Sequence, residues 1–205
     1  MKKINFKILF FNNLFYILVA SLAFTVASYI VFDTLSKPRV QNKVEILIGA
    51  ETKNKKEFEN KVLSYCEKDI YKINITALDA DSNFFMNYYT TSVSNVDFVI
   101  LPSFFLEKNG FKDNLNQYAN LDKDMLEKKT SIKDFIFYNV ERLNKGILIY
   151  DSISQKGYLE NEINYDKNYS YYLFLNKNSY HIGELNNKKS NACFDIIKEV
   201  FKNEK

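Results

Sequence analysis

From Ile8 to Phe32 the chain carries no charged side chain. At about 1.5 Å per residue a helix over this run spans roughly 37 Å, and a bilayer core needs about 30 Å. Asn12 and Asn13 fit the headgroup zone, leaving Leu14 to Phe32 as the spanning core, with Tyr16 and Tyr29 near its two ends, where interfacial aromatics collect. A cleaved signal peptide has an apolar region of only about 7 to 15 residues ending in a small-residue site. Here Ala20, Ala23 and Ala27 are each followed by more apolar sequence. The expected organisation is a basic cytoplasmic tail (1–7), a transmembrane signal anchor (8–32), a linker containing Pro38 (33–43) and an extracytoplasmic domain (44–205). The first partner expected is therefore the lipid bilayer, through residues 8–32, in a single-pass cell-membrane protein whose C-terminal domain faces outward.

Charge supports this division. Lys2, Lys3 and Lys7 account for the whole formal net charge of +3, because the remaining Lys and Arg side chains balance the 25 acidic ones. A neutral body lacks the uncompensated basic cluster that phosphate contacts require, so nucleic acid is not expected as a ligand. One histidine, His181, and two cysteines, Cys66 and Cys193, exclude His-rich metal sites and zinc-finger frameworks. Neither a metal nor another cofactor is expected.

The outer part alternates strand and helix patterns. Val44 to Ile48 is a short β-branched run ended by Gly49, and Asn54-Lys-Lys-Glu57 pairs an Asn cap with an acidic residue three positions on. The helix it opens places Phe58, Val62, Leu63, Tyr65 and Cys66 on one face. Tyr71, Ile73, Ile75 and Ala77 then alternate with polar residues, the period-two pattern of a half-buried strand. A second amphipathic stretch, Phe84 to Ser92, leads to Val96-Asp-Phe-Val-Ile-Leu101, which suits a buried parallel strand. This order implies an α/β domain with a largely parallel sheet flanked by helices. Further on, Ser131-Ile-Lys-Asp134 has the form of a capping box, and Ile132, Phe135, Ile136, Val140 and Leu143 continue at helical spacing up to Gly146. Ile147 to Tyr150 and Tyr171 to Leu175 read as strands, and Lys188 to Lys202 as an amphipathic final helix.

These pieces together resemble the first lobe of type 2 extracytoplasmic solute-binding proteins, the receptors that feed ABC importers. The resemblance is carried by Val44-Glu-Ile-Leu-Ile-Gly49, the helix around Phe58 to Cys66, the strand Tyr71 to Ala77, and Val96-Asp-Phe-Val-Ile-Leu-Pro102. It continues through Asn114 to Asp122, Gly146 to Tyr150 as the strand entering the hinge, and Tyr171 to Asn176 as a returning strand. It implies a membrane-anchored binding or accessory protein working with an ABC-type transporter, with a permease or another membrane protein as partner. Few residues separate Tyr150 from Tyr171, so the second lobe of such receptors is absent. A single lobe keeps half of the cleft and loses hinge closure, which implies weak or no small-molecule binding. The alternative is a structural protein–protein interaction domain on the cell surface with no solute ligand.

In an open α/β sheet, loops after the strands line the ligand crevice. The candidate ligand or partner residues are Thr52, Asp79, Ser82, Asn83, Ser103 and Phe104; the acidic and polar ones among them also suit plain turn and cap roles. Tyr88 and Tyr89 offer aromatic faces where sugar receptors use Trp, which this chain lacks. Asp79-Ala-Asp81 has the clustered oxygens of a calcium site but neither the glycine nor the distal glutamate of an EF-hand loop. Ser179 and His181 are too close in sequence to orient a nucleophile against a base, so His181 reads as a surface histidine and no enzymatic activity is expected. Cys66 and Cys193 fall on the apolar faces of two helices, either as buried thiols or as a disulfide, which an outward location permits.

Overall fold

The computed structural model describes residues 6–36, 39–79, 88, 96–107, 109–186 and 190–202. The chain divides into two compact units, Met1–Arg39 and Val40–Lys205.

The first unit is a single helix, α1 (Phe6–Ser36), of 31 residues. It has no amphipathic stripe: Tyr16, Leu22, Phe24 and Phe32 are all well exposed. Its hydroxyls turn inward to the backbone, Ser21 Oγ donating to the Leu18 carbonyl at 2.9 Å and Thr25 Oγ1 to the Ser21 carbonyl at 2.8 Å. Counted over the described residues, no helix is long and apolar enough to cross a membrane. The unbroken run of described side chains, Tyr16 to Phe32, covers about 26 Å of helix, less than a bilayer core, while the backbone of α1 continues beyond it at both ends.

The second unit opens with a 3-10 turn, Val40–Asn42, that feeds β1 (Lys43–Ile48). A two-residue strand β2 (Glu51–Thr52) precedes α2 (Lys55–Tyr65), which starts where the Asn54 cap predicts. Asn54 Oδ1 accepts from the Glu57 amide at 3.3 Å, and Asn54 Nδ2 donates to the Glu57 carboxylate at 3.0 Å. β3 (Lys72–Ala77) and β4 (Phe98–Pro102) follow. Of the helix expected over Phe84 to Ser92, only Tyr88 lies among the described residues. Short helices α3 (Ser103–Leu106) and α4 (Asn109–Asn114) lead to α5 (Lys123–Thr130), which is capped by Asp122. Strands β5 (Phe137–Val140), β6 (Leu143–Asp151), β7 (Lys156–Gly157), β8 (Ile163–Asn164) and β9 (Tyr171–Leu175) precede the last helix, α6 (Ala192–Lys202).

The main sheet runs β3-β1-β4-β9-β6-β5, with β7 added at the end of β6. β3, β1 and β4 are parallel, as the alternation of elements predicts. The other pairings are antiparallel, so the domain is α/β with a mixed sheet, where the sequence suggested a largely parallel one. The cause is local. β5 and β6 are joined across only Glu141 and Arg142, both at positive φ (50° and 70°), and so short a connection can join only antiparallel neighbours.

The same hairpin replaces the helix expected from Ser131 to Leu143. Ser131 adopts a left-handed conformation and closes α5, its amide donating to the Glu127 carbonyl at 2.8 Å. Residues 132–136 then run without regular structure, and Phe137–Val140 is a half-buried strand. Gly146, expected to stop a helix, lies inside β6, where Phe174 occupies the space a side chain would need.

Both sheet faces are covered. One carries Val44, Ile46, Ile48, Ile73, Ile75, Phe98 and Ile100 under α2, α5 and α6. The other carries Leu47, Val99, Leu101 and Phe174 against Tyr88, Phe105, Phe111 and Tyr118. Burial on both faces explains why β1 and β4 read as nearly continuous apolar runs.

At Gly146 an added Cβ would stand 2.8 Å from Phe174 Cε1, and Phe174 is fully buried. Gly146→Ala should therefore lower stability by about 1–3 kcal/mol through overpacking, measured by denaturant unfolding. The added change Phe174→Leu should make the alanine less costly. Equal costs in the two backgrounds would contradict the contact.

Candidate functional site

The sheet has two chemically different ends. At the C-terminal ends of β1, β3 and β4 lie the predicted crevice residues. Ser103 and Phe104 open α3 directly after Pro102, and both are half-buried. The Ser103 amide donates to the Ser170 carbonyl at 2.7 Å, and the Phe104 ring lies 4.6 Å from that of Tyr169. Asp79 follows β3 and is exposed. Thr52 is spent on structure, since β2 pairs antiparallel with β8, setting Thr52 opposite Ile163. Ser82 and Asn83 lie outside the described residues, as does Asp81. Among the described residues no cluster of carboxylates, histidines and cysteines could hold a metal.

Sequence reasoning missed what stands beside Ser103. Because β9 is antiparallel to β4, its beginning arrives at the end where β4 finishes, bringing Tyr169 and Ser170 to the crevice. Ser170 Oγ accepts from the Ser152 amide at 3.0 Å and lies 3.1 Å from Ser152 Oγ. Asp151 accepts from the Ser154 hydroxyl at 2.8 Å and from the Ile153 amide at 3.1 Å, which holds its carboxyl below the usual range. Tyr171 is shifted upward, mainly by burial, with the negative charges of Asp166 and Asp79 adding to the effect. The available signal was the Ser-Tyr junction at the head of an apolar strand, informative only once that strand's direction is known.

The segment between β6 and β9 folds back on the domain. Leu159 and Ile163 are buried in the main core, and Tyr165 stacks on Tyr150 with centroids 4.6 Å apart. Lys61 pairs with Glu162, and the Lys53 amide donates to the Glu162 carbonyl at 2.8 Å. Where a two-lobed receptor would continue into a second lobe, this chain closes its own edge. The closure leaves a cavity of about 300 Å³ lined by Lys53, Gln155, Glu160, Asn164 and Lys167 among others.

The opposite end, where β1 begins, holds a buried polar node. Asp97 is 6% exposed. Its Oδ2 accepts from the Glu45 amide at 2.8 Å and its Oδ1 from Ser179 Oγ at 2.5 Å. Ser179 Oγ in turn accepts from the His181 amide at 3.0 Å. His181, expected at the surface, is fully buried. Its Nε2 faces the carbonyls of Lys43 (2.7 Å) and Val40 (3.1 Å). Two acceptors there require Nε2 to carry the proton, so in the neutral ring Nδ1 accepts from Ser190 Oγ at 2.8 Å. The imidazole thus ties the start of the domain to the segment before α6. Cys193 is buried, Cys66 is half-buried, and both are free thiols. Burial pushes Cys66 up to about 12 and Cys193 well above its ordinary value, so neither is a ready nucleophile.

Burial raises the pKa of Asp97 above the ordinary 3.8, partly opposed by the Ser179 hydroxyl and the Glu45 amide. In the unfolded chain this carboxyl ionises near its ordinary value, and in the folded chain it keeps its proton to higher pH. Its contribution is therefore fully present below the unfolded value and lost as pH rises through the folded one. Asp97→Asn should flatten the decline in stability above about pH 4, as read from denaturant midpoints across the acid range. Parallel profiles for the two proteins would contradict the assignment.

Compared with protein-family models, curated proteins and solved structures, the chain finds no match, so its function is argued from geometry.

Proposed function

We propose that the protein is a single-pass, membrane-anchored binding or accessory protein whose one extracytoplasmic lobe docks another membrane protein, an ABC-type permease being the partner the resemblance suggests. The observation that carries this reading is the architecture of the crevice end. Three parallel strands, β3-β1-β4, deliver their loops to one edge, and the returning strand β9 joins them. The segment that would lead to a second lobe is instead folded back through β8.

A lobe of this form offers an aromatic and hydroxyl surface, Phe104 and Tyr169 beside Ser103 and Ser170, and no opposing wall stands over it among the described residues. Such a surface suits a protein partner that brings its own wall. The anchoring half of the proposal rests on α1, whose 31 residues extend about 46 Å and whose described side chains are apolar over most of their length. Lys2 and Lys3 precede it and Lys7 lies in its first turn, which favours an inside N-terminus.

Two measurements test the two halves separately. After cell fractionation the intact 24.2 kDa chain should remain with the membrane, and external protease should remove the domain. A released species beginning after Ala23 or Ala27 would contradict the anchor. In calorimetric titrations of the full chain in uncharged detergent, sugars, amino acids and short peptides should bind no more favourably than about −6 kcal/mol. A submicromolar small-molecule complex would contradict the docking reading.

A further inference from the structure

At the end of the sheet opposite the crevice, a second pocket combines features that the docking reading leaves unused. Its frame is backbone. The Lys177 amide donates to the Gln117 carbonyl at 2.9 Å, the Ala119 amide to the Leu175 carbonyl at 2.9 Å, and the Leu121 amide to the Asn144 carbonyl at 2.7 Å. These bonds clamp the loop between α4 and α5 across the end of β9 and the start of β6. The space they leave is about 410 Å³, with Ile182 as an apolar wall and Asn116, Asn120, Lys145 and Lys177 supplying polar groups.

Lys145 is the unusual member. It lies on β6 on the same strand face as Ile147 and Ile149, and only 7% of its surface is exposed. Its ammonium donates to the Tyr118 carbonyl at 3.0 Å, leaving further N–H donors. Among the described residues no carboxylate lines the pocket. The second cation, Lys177, is close enough that its charge, after burial, adds to the lowering of the Lys145 pKa. Buried or converging cations normally find an anion. Here the described residues supply two lysines and two side-chain amides and no counter-charge.

We propose that this pocket binds a phosphate group, free or esterified, with Lys145 at its floor, Lys177 at its rim, and the amides of Asn116 and Asn120 as further donors. Two ammonium groups match the charge of a phosphate dianion, and amide N–H groups suit its oxygens. The volume exceeds what the anion alone would fill, so an organic substituent fits beside Ile182. A phosphate monoester headgroup and inorganic phosphate present the same chemistry to these four side chains.

The test uses the full chain in uncharged detergent at fixed ionic strength. Its thermal midpoint is followed against inorganic phosphate, against chloride, and in mixed micelles containing phosphatidic acid or, for comparison, phosphatidylcholine. Binding to the native state raises the midpoint saturably. A saturable rise with inorganic phosphate and not with chloride supports the site. A rise with phosphatidic acid micelles alone also supports it, and identifies the ligand as a lipid headgroup. Lys177 is exposed, so Lys177→Gln should fold normally and weaken the response at least tenfold; Lys145→Met should abolish it. The proposal is overturned if neither phosphate source shifts the midpoint, if chloride acts equally, or if Lys177→Gln responds as the parent chain does.

Discussion

The buried carboxylate of Asp97 is the constraint on which the beginning of the domain depends. Placing an acid at the head of β4 inside a core costs stability unless its oxygens are used. Both are used, one on the backbone of β1 and one on Ser179. From Ser179 the connection passes to His181, and from His181 back to the carbonyls of Val40 and Lys43. Three stretches far apart in sequence thereby share one hydrogen-bonded node at the point where the chain enters the domain. A pull transmitted along the linker would meet this node before it met the sheet. The domain is thus tied down at the end where it would be tethered.

The contrast between the two ends organises the chemistry as well. The crevice end is built from aromatic rings, hydroxyls and short loops, and the polar groups described there largely bond one another. Such a surface adapts to a partner and gains affinity from buried aromatic area. The other end buries ionisable groups, Asp97, His181 and Lys145 among them. Asp97 and His181 satisfy each other's neighbourhood through Ser179 and the backbone, while among the described residues no acidic counterpart of Lys145 and Lys177 lines their pocket. That asymmetry separates a structural polar cluster from the proposed phosphate site, although the two occupy one end of the same sheet.

Much of the architecture was legible in the chain. Asn54 and Glu57 announced α2, the alternation through Ile73 and Ile75 announced β3, and the apolar runs announced β1, β4 and β9, because each signal depends on neighbours within a few residues. What failed depended on distant ones. Phe135 to Val140 fits helical spacing as well as a strand, and the choice was made by pairing with β6 across a two-residue turn. His181 sits in a polar stretch that looks exposed, yet its acceptors lie 138 and 141 residues away. Ser103 and Phe104 could be placed at the end of β4 because they follow that strand directly. Tyr169 and Ser170 were missed because their position follows from the antiparallel direction of β9, and Lys145 because nothing local marks a lysine in a strand as buried.

If an anchored single lobe works through the edge marked by Phe104, site-specific photocrosslinking should capture its partner there. A photoreactive amino acid would replace Phe104 in the full-length chain in its own membrane, with the same probe at Ile153, which is 92% exposed, as the comparison position. The expected result is a discrete adduct between the position-104 probe and an integral membrane protein, absent or much weaker from position 153. Equal, diffuse labelling from both positions, or recovery of the chain unmodified in the soluble fraction, would contradict it.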